Sequence, residues 1–385
     1  MLEITDKSKC CGCTACQVIC PHDAITMRRD ALGFAYPSVS EDKCVKCGLC
    51  IRVCDFNKKY AGEADACDVI KVSAARNRDA SVLENSQSGG VFTSLASDIL
   101  NENGTVYGAA MNADFTVSHH RVDSISSLPS LRGSKYVQSD MDDMFRRVRE
   151  DLESGRKVLF SGTPCQVAGL VSYIPERLMH NLHTVDFICH GVPSPAIWRD
   201  YVSHMSSSGK IVQASFRDKA EGGWKRHVET FTYDDGRKVA RESFRVLFYK
   251  NIMLRPSCAS CPYHYGNRRS DVTIGDFWGI GELSARFDGD EGTSMVICNT
   301  DKGRSMLEYA GRTLDICELS VDKDFLMRKN PNLLRSSVFY KDSCKFAEEY
   351  ASQGFLHVAR KWGDMGWRYK AWQLKVWFKK LSGLK

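Results

Sequence analysis

The 385-residue sequence lacks several features that would place it in a membrane or against nucleic acid. No apolar stretch reaches the roughly 18 residues that a membrane-spanning helix needs. The start, residues 1–7, has no apolar run of the kind found in signal peptides. No nucleic-acid-binding motif is present, and no G-x-G-x-x-G opens a strand–helix–strand unit, so a Rossmann NAD site is not expected. These absences predict a cytoplasmic protein without a nucleic-acid partner.

Cysteine, by contrast, is abundant, with 17 residues. In the reducing cytosol, grouped cysteines usually hold metals or perform redox chemistry rather than form disulfides. The formal net charge of +6 treats every thiol as neutral. A [4Fe–4S] site with four thiolates carries about two negative charges, so three such sites would roughly cancel the excess.

The first 60 residues contain two copies of one cysteine motif. The spacing C-x2-C-x2-C-x3-C begins at Cys10 and again at Cys44, 34 residues later. This is the bacterial two-cluster ferredoxin pattern, in which the fourth cysteine of each run ligates the other cluster. One cluster is therefore assigned to Cys10, Cys13, Cys16 and Cys54, and the other to Cys44, Cys47, Cys50 and Cys20. Zinc is the alternative metal, Cys11 is left as a spare, and residues 24–37 predict a small hairpin.

Another candidate site centres on residues 159–166, which read as a buried strand, a tight turn and the start of a helix. Thr163 suits the N-cap and Pro164 suits the first helical position. Cys165 would then lie in the first helical turn, where the helix dipole and free N–H groups favour a thiolate. Taken alone, a buried structural cysteine is the plainer explanation.

Three further cysteines, Cys189, Cys258 and Cys261, are predicted at strand ends or in turns. Because strand ends on one side of a sheet can converge, these three and Cys165 are candidates for one site. Four thiolates suit a [4Fe–4S] cluster or zinc. The remaining cysteines are predicted to be small core residues at 298, 317 and 344, and an incidental one at 67.

Two glycine-containing turns suit a phosphate or a cofactor. The turn Ser86–Gly90 opens an amphipathic helix and would let a phosphate or a flavin ring approach the backbone, with a plain helix cap as the alternative. The loop Leu131–Tyr136 contains two cations and suits a pyrophosphate, with a solvated turn as the alternative.

Strands that alternate with helices, together with an antiparallel insertion over residues 213–242, indicate an α/β or α+β main domain. The predicted fold class is α+β. A small ferredoxin-like two-cluster domain (1–60) and a linker (61–70) precede a larger α/β flavin- and cluster-binding domain (71–330). A helical C-terminal tail (331–385) follows.

The main domain resembles the coenzyme F420 hydrogenase/dehydrogenase beta-subunit family, which includes iron–sulfur flavoproteins. The matching stretches are Ser86–Gly90, Gly133–Tyr136, Gly162–Gln166, Cys189–Gly191, Cys258-x-x-Cys261 and Gly275–Gly279. The resemblance implies a third [4Fe–4S] cluster held by Cys165, Cys189, Cys258 and Cys261. It also implies FAD at a site that includes Ser86, Ser88, Gly89, Gly90, Gly133, Ser134, Lys135, Tyr136, Gly162, Thr163, Asp276, Trp278 and Gly279. Ser88 stands where F420-binding members have an acidic residue, so coenzyme F420 is kept as an alternative.

Together these features predict an iron–sulfur flavoprotein oxidoreductase with three [4Fe–4S] clusters, FAD and an organic substrate. A saccharide or lipid-linked saccharide precursor is the substrate that family analogy suggests. His190 is the candidate proton donor, with a structural hydrogen bond as its alternative role. The rivals are an electron-transfer subunit of a larger complex and an F420-dependent oxidoreductase. Ferredoxin or reduced F420 is the expected redox partner, and a homodimer is left open.

The last 20 residues, 366–385, combine tryptophans with lysines and arginines on a helical pattern. This composition suits a membrane interface, with cations on anionic lipid and tryptophans at the headgroups. The alternative is a helix that docks on its own domain with snorkelling lysines. Peripheral contact with the inner face of the membrane is therefore an open expectation.

Overall fold

The computed structural model describes residues 2–58 and 68–367. Within these ranges the strands are β1 (Ile25–Arg29), β2 (Ala35–Val39), β3 (Val69–Asn77), β4 (Thr105–Met111), β5 (Val117–Val122), β6 (Val158–Gly162), β7 (Leu182–Phe187), β8 (Ile211–Ser215), β9 (Glu229–Tyr233), β10 (Lys238–Arg241), β11 (Val272–Asp276), β12 (Ser294–Cys298) and β13 (Leu314–Asp322). They form sheets of two, three and eight strands, a mixed architecture that matches the predicted α+β class.

The helices connect and cover these strands. They are α1 (Ala15–Val18), α2 (Leu49–Arg52), α3 (Ala80–Glu84), α4 (Val91–Asn101), α5 (Met144–Glu153), α6 (Pro164–Tyr173), α7 (Pro195–Ser206), α8 (Lys219–Gly222), α9 (Ser243–Tyr249), α10 (Asp301–Ala310), α11 (Lys323–Lys329), α12 (Pro331–Leu334) and α13 (Ser343–Lys361). Short 3-10 turns lie at Lys7–Lys9, Asp55–Asn57, Leu128–Leu131, Glu176–Leu178, Pro256–Ser260, Ile280–Glu282 and Ala285–Phe287.

The eight-stranded sheet has the order β13-β3-β12-β11-β7-β6-β4-β5. Strands β11, β7, β6 and β4 pair in parallel, and β12 runs antiparallel to both of its neighbours, β11 and β3. Strand β3 therefore points the same way as the parallel set. The carboxyl ends of five strands lie along one edge, where open α/β sheets usually bind their ligands.

Side chains alternate between the two faces of this sheet, as the pleat requires. Val106 and Leu159 pack with α4 and α10 in one buried cluster. Their neighbours Tyr107, Val158 and Phe160 pack with α5 and α6 in another. Because helices cover both faces, most residues of the central strands β4 and β6 are buried.

The N-terminal segment forms the predicted hairpin, with β1 antiparallel to β2. Its short helices pack on the main body: Ala15, Val18 and Val53 share a buried cluster with Phe145 of α5 and Leu170 of α6. The cysteine-rich segment is therefore held against the same helices that cover one face of the large sheet.

The predicted antiparallel insertion is confirmed as the sheet β10-β9-β8. It packs with α7, α9 and α13 around the buried Trp198. Helix α13 contributes Phe346, Tyr350 and Val358 to this cluster and is interrupted at Gly354, whose φ is +77°. Residues 343–361 are thus part of a core that they share with residues 195–249.

One prediction for the C-terminal part, the burial of Cys344, can be compared with the structure. Cys344 was expected in the core, but it is exposed at the start of α13, whose buried apolar residues begin at Phe346. Most of the basic aromatic segment (368–385) lies outside the described residues, as does Cys67. In the part of the chain that is described, no helix combines the length and apolar character needed to cross a membrane.

Candidate functional site

Four cysteines meet at the carboxyl edge of the large sheet. Cys165 and Cys189 follow β6 and β7, and Cys258 and Cys261 belong to the turn before β11. All four line one cavity, and we call them the third set. The sequence places these residues up to 96 positions apart, and the parallel strands bring them together.

Local structure at Cys165 agrees with the sequence prediction. Thr163 is the N-cap of α6, its hydroxyl accepts from the Gln166 amide, and Pro164 opens the helix. The Thr163 hydroxyl also lies 3.2 Å from the Cys165 sulfur. Hydrogen bonding from Cys11, opposed by burial and helped by Thr163, lowers the pKa of Cys165 to about 7. The direction of this shift agrees with the predicted tendency toward the thiolate, but its largest cause is the Cys11 thiol and not the start of the helix.

Backbone N–H groups point at two other sulfurs of the third set. The amide of Gly191 donates to Cys189 Sγ and that of Val192 to Cys258 Sγ, both at 3.4 Å. Burial raises the pKa of Cys189 and of Cys261 to about 12. Such buried sulfurs ionise readily only when a cation or metal compensates the charge, and N–H donors of this kind are typical around anionic iron–sulfur groups.

Cys11 is a fifth thiol in the same cavity. It is 5% exposed and hydrogen-bonds with both Cys13 and Cys165, and these contacts raise its pKa well above the usual value. A thiol that keeps its one proton can donate it to either of these neighbours. The fold thus places Cys11 between the N-terminal motif and the third set, and its assignment as a spare cysteine outside the ligand sets stays a prediction.

A second cavity lies in the N-terminal segment. Its lining includes Cys20, Cys44, Cys47 and Cys50, together with Lys43 and Lys46. We call these four cysteines the outer set, because Cys47 is exposed. The turn into α2 is made by Gly48, whose φ of +75° is in the left-handed region that favours glycine. The fourth cysteine of the first motif thus lies with the first three of the second motif.

The other four N-terminal cysteines, Cys10, Cys13, Cys16 and Cys54, are called the inner set. Burial raises the pKa of Cys16, and the charges of Cys13, Cys10 and Cys54 raise it further, so these thiols are electrostatic neighbours. The inner set lies against α6: a methyl group on Gly169 would be 2.7 Å from Cys13 Sγ. It therefore lies beside the helix that carries Cys165.

Across residues 2–58 and 68–367, no group of three or more histidine, cysteine, aspartate or glutamate side chains is arranged to hold a single metal ion. The outer set and the third set each line a cavity between chain segments instead.

The residues expected around a flavin lie in two places along the same edge. Gly162 and Thr163 lie beside Cys165, whereas Tyr136, Asp276 and Trp278 lie around Arg217, which is 5% exposed. Arg217 Nη1 donates to Asp276 Oδ2 at 2.6 Å, and its Cζ lies 5.3 Å from the centre of the Trp278 ring. Two of the expected segments, Gly133–Tyr136 and Gly275–Gly279, therefore share one buried cation.

Further contacts surround Arg217 and its partner Asp276. Trp224 donates from its indole to Asp276 Oδ1 at 2.9 Å and stacks on Trp278 with ring centres 5.0 Å apart. The Gln87 amide, with its nitrogen turned to the Arg217 carbonyl at 3.0 Å, links the crevice to the Ser86–Gly90 turn. We refer to this arrangement as the Arg217 crevice.

The glycines of the Ser86–Gly90 turn are needed by the fold itself. A Cβ on Gly89 would lie 2.1 Å from the carbonyl oxygen of Ala75. The backbone amide of Gly89 donates to Ser294 Oγ at 2.9 Å. Gly90 caps α4 with φ +76°, and Ser86 and Ser88 donate to the carbonyls of Val82 and Thr293. This geometry agrees with the helix-cap alternative for the turn.

The loop of Gly133, Ser134 and Lys135 is more open. Nothing lies within 4 Å of a Cβ placed on Gly133, whose φ is +77°. Lys135 Nζ donates to the Arg132 carbonyl at 2.7 Å, and burial lowers its pKa to about 7. At neutral pH a large fraction of this side chain is therefore uncharged, which weakens it as a permanent phosphate-binding cation.

Gly279, the last of the expected flavin residues, has φ +80° and starts the 3-10 turn after β11. A Cβ there would meet the Lys329 side chain at 2.9 Å. Its role in the structure is to let α11 approach this turn.

Comparison with known proteins agrees with both halves of this site. A family model described as a 4Fe-4S dicluster domain matches residues 9–58. A second, which describes the C-terminal part of the coenzyme F420 hydrogenase/dehydrogenase beta subunit, matches residues 155–323, which include the whole third set and Arg217. Residues 155–323 are therefore similar to the coenzyme F420 hydrogenase/dehydrogenase beta-subunit family.

Two curated proteins similar to this chain are an oxidoreductase or a redox subunit by name. The first is the subunit designated F of the F(420)H(2) dehydrogenase of Methanosarcina mazei, which is 25% identical over 173 residues, 43% of this chain and 48% of the relative. Coenzyme F420-dependent sulfite reductase of Methanocaldococcus jannaschii is 29% identical over 188 residues, 47% of this chain and 28% of the relative. The match thus spans about half of the first relative's length and less of the second's.

Among solved structures, a chain of the F420-reducing [NiFe] hydrogenase complex from Methanosarcina barkeri matches with a TM-score of 0.48 and 15% identity. It covers 76% of this chain and 91% of that chain.

His190 lies beside the third set and lines its cavity. Its two ring nitrogens lie 3.1 Å from Asn332 Oδ1 and 2.6 Å from Asn251 Oδ1. Both nitrogens are therefore engaged by the protein, which agrees with the structural alternative and leaves its role as a proton donor untested.

Sequence reasoning missed Arg217, Arg255 and Arg268 as site residues. All three are nearly or fully buried, and Arg268 pairs with the buried Asp186 at 3.0 Å beside the third set. A weak signal was present, since Arg255 precedes the Cys258 motif and Arg217 ends a predicted strand. A single arginine at such a place does not distinguish a buried cation from a surface one.

Proposed function

We propose that this chain is an iron–sulfur flavoprotein oxidoreductase that carries three [4Fe–4S] clusters and FAD and exchanges electrons with an organic substrate. The observation that carries the proposal is the third set: four thiols from distant segments line one cavity, and Cys11 of the N-terminal motif lines it too. When bound, iron–sulfur clusters supply one-electron transfer, and a flavin converts between single electrons and a hydride.

The residues present suit three four-iron groups. Each set offers four thiols, which is the donor set that iron–sulfur clusters require. The outer set has an exposed member, Cys47. The inner set lies next to the third set, because Cys11 hydrogen-bonds with Cys13 of the inner set and with Cys165 of the third set. This order supports a route in which the protein surface near Cys47 exchanges electrons with a partner and the third set lies innermost.

The Arg217 crevice supports the flavin part of the proposal. A series of aromatic contacts joins the Arg217 crevice to the third set. The ring centre of His190 lies 4.8 Å from that of Phe248, and the ring centre of Phe248 lies 5.3 Å from that of Tyr136. Tyr136 in turn lies at Arg217, which supports an isoalloxazine ring near Tyr136 and Trp278. In this proposal Gly133 leaves room at the backbone, whereas Gly89 and Gly162 serve the packing of the chain.

Coenzyme F420 is the second candidate for the redox partner. The specific observation in its favour is that the names of both curated relatives contain this coenzyme. The name of one relative also describes a subunit, which supports a third candidate, an electron-transfer subunit that docks on a catalytic partner. A saccharide or lipid-linked saccharide precursor remains the substrate proposed from family resemblance alone.

Anaerobic purification followed by iron and flavin analysis tests the central proposal. We expect about twelve irons and one FAD per chain. Eight irons, with or without zinc, would contradict the third set as a cluster site, and absence of flavin would contradict the assignment of the crevice.

Reduction assays separate the candidates. We expect reduced ferredoxin to bleach the bound flavin of the isolated chain. Bleaching by reduced F420 alone would favour the F420-dependent alternative, and purification only in complex with another subunit would favour the electron-transfer subunit.

A further inference from the structure

Arg255 joins the N-terminal segment to the third set through both its backbone and its side chain. Its amide donates to the Val192 carbonyl, and its carbonyl accepts from the Cys258 amide, each at 2.9 Å. Val192 follows the Cys189 motif, so the backbone of Arg255 belongs to the loops that carry three of the four thiols of the third set.

The side chain of Arg255 extends into the loop of the inner set. Nε donates to the Cys10 carbonyl and Nη2 to the Ala35 carbonyl, both at 2.8 Å, and Nη2 lies 3.8 Å from Cys10 Sγ. The guanidinium also lies over the Tyr36 ring, 4.3 Å from its centre. The residue is fully buried, at 0% exposure.

Two neighbouring residues are adapted to this side chain. Gln138 accepts from Arg255 Nη1 at 2.8 Å and donates to the Cys11 carbonyl at 2.9 Å, which fixes the loop between Cys10 and Gly12. Gly12 has φ +71°, and a Cβ there would lie 2.7 Å from Nη1. The second residue after Cys10 is therefore glycine for two reasons, the left-handed backbone and the space that the guanidinium occupies.

The charge of Arg255 has no acidic partner among the described residues. Its hydrogen-bond acceptors are two backbone carbonyls, an amide oxygen and a thiol. A guanidinium keeps its charge at neutral pH, and a buried charge without a counter-ion is strongly unfavourable. The sulfur nearest to this guanidinium is that of Cys10, 3.8 Å from Nη2, and a Cys10 thiolate bound to a cluster would supply the missing negative charge.

We propose that Arg255 is the counter-charge of the iron–sulfur group held by the inner set, and that it raises the reduction potential of this group. The proposal rests on the proposed function in that the inner set is taken to hold a cluster. A nearby positive charge stabilises the more negative, reduced state, and charge and hydrogen bonds at the ligand sulfurs are among the factors that set cluster potentials. Arg255 is thus a positioning residue that acts through Cys10.

The charge of Arg255 should raise the reduction potential mainly at the inner set. The guanidinium donates toward Cys10 Sγ, whereas among the described residues it has no hydrogen bond to a sulfur of the third set, although Arg255 lines the cavity of that set. A higher potential at the inner set favours arrival of an electron from the outer set, which is the direction that the exposed Cys47 suggests.

The test is a redox titration of the anaerobically purified full chain, followed by electron paramagnetic resonance. We compare Arg255→Gln, which removes the charge, with Arg255→Lys, which keeps it but loses the planar fork. Arg121→Gln is the matched control, because Arg121 is a partly buried arginine that pairs with Asp151 away from the cysteines.

We expect Arg255→Gln to lower the potential of one cluster so that its reduction becomes at least tenfold less favourable, which is 59 mV for one electron. Arg255→Lys should restore most of this shift, and Arg121→Gln should cause none. Loss of the inner-set iron in Arg255→Gln but not in Arg255→Lys would also support the role of the charge.

Equal behaviour of the two Arg255 variants, whether as unchanged potentials or as equal loss of iron, would overturn the proposal. The titration is repeated with Cys165→Ser in the background, where the third set is incomplete. If the unsubstituted chain holds only eight irons, the proposed function fails at the third set, but the shift at the inner set can still be measured.

Discussion

Gly169 of α6 and Cys13 of the inner set are in such close contact that a methyl group on Gly169 would lie 2.7 Å from the Cys13 sulfur. The two residues are 156 positions apart. This contact, with the shared apolar cluster around Phe145, holds the N-terminal segment against the helix that begins at Cys165.

Gly169→Ala should therefore disturb the docking of the N-terminal segment. We expect a loss of stability of about 1–3 kcal/mol, the usual effect of overpacking a buried site, and faster loss of iron from the inner set in air. Thermal unfolding and the rate of absorbance bleaching measure both effects. Gly108→Ala is the control, since the nearest atom to a Cβ at Gly108 is 3.4 Å away. Equal bleaching of the two variants would contradict the prediction.

Cys165→Ser should remove the third iron–sulfur group and spare the other two. Serine keeps the cap of α6 but lacks the thiolate, so we expect iron to fall from about twelve to about eight per chain. Cys344→Ser, at an exposed position, serves as the control and should keep all iron. Retention of all iron in the Cys165 variant would mean that another residue completes the site.

Cys11→Ala should raise the pKa of Cys165 in the iron-free chain. The Cys11 thiol is the largest cause of the low value, about 7, at Cys165. The thiolate fraction of Cys165 rises as pH passes this value, and alanine removes the donor that stabilises the thiolate. We expect the midpoint of Cys165 alkylation against pH, followed by peptide mass spectrometry, to move upward. Cys298→Ala should leave the midpoint in place, and an unchanged midpoint in both variants would refute the contact.

The surface beside the outer set should receive an acidic electron carrier. Lys43 and Lys46 line the cavity of this set, and Val45 beside them is 59% exposed. In Lys43→Glu/Lys46→Glu we expect the KM for a reduced acidic ferredoxin to rise several-fold and its salt dependence to weaken, because opposite charges steer association.

The charge-matched control is Lys210→Glu/Lys341→Glu, at exposed positions in other parts of the chain. Reduction by dithionite, a small molecule, should be the same in all variants. Equal KM values for ferredoxin in the two double variants would place the docking surface elsewhere.

His119 should make the protein less stable as pH falls below about 6.5. Burial lowers its pKa to about 4, and its Nε2 lies 3.0 Å from the Ser161 carbonyl. Between pH 6.5 and 4 the unfolded chain binds a proton that the folded chain does not, so stability falls as pH falls. A shift of this size corresponds to roughly 3 kcal/mol.

His119→Gln should accordingly reduce the drop in Tm between pH 7 and pH 5. The exposed His180→Gln serves as the control and should retain the drop of the unsubstituted chain. An identical pH dependence in His119→Gln would mean that other groups, such as the buried His227, carry the whole effect.

Sequence reasoning was most successful where the signal is local. The cap Thr163, the start of α6 at Pro164 and the hairpin of β1 and β2 depend on neighbouring residues, and all are confirmed. The flavin residues were harder, because a glycine such as Gly89 can serve a ligand or the close packing of its own chain. The domain limits at 60 and 330 remain predictions.

The sequence by itself determined the cysteine motifs, their spacing and the alternation of strands and helices, since each follows from short-range pattern. Only the tertiary structure decided that Cys11 lies between two cysteine sets and that Arg255 contacts Cys10 across 245 positions. These contacts are made by loops at the ends of parallel strands, and their meeting depends on the order of strands in the sheet. No local pattern encodes that order, so the buried cations at the site became visible only in the folded chain.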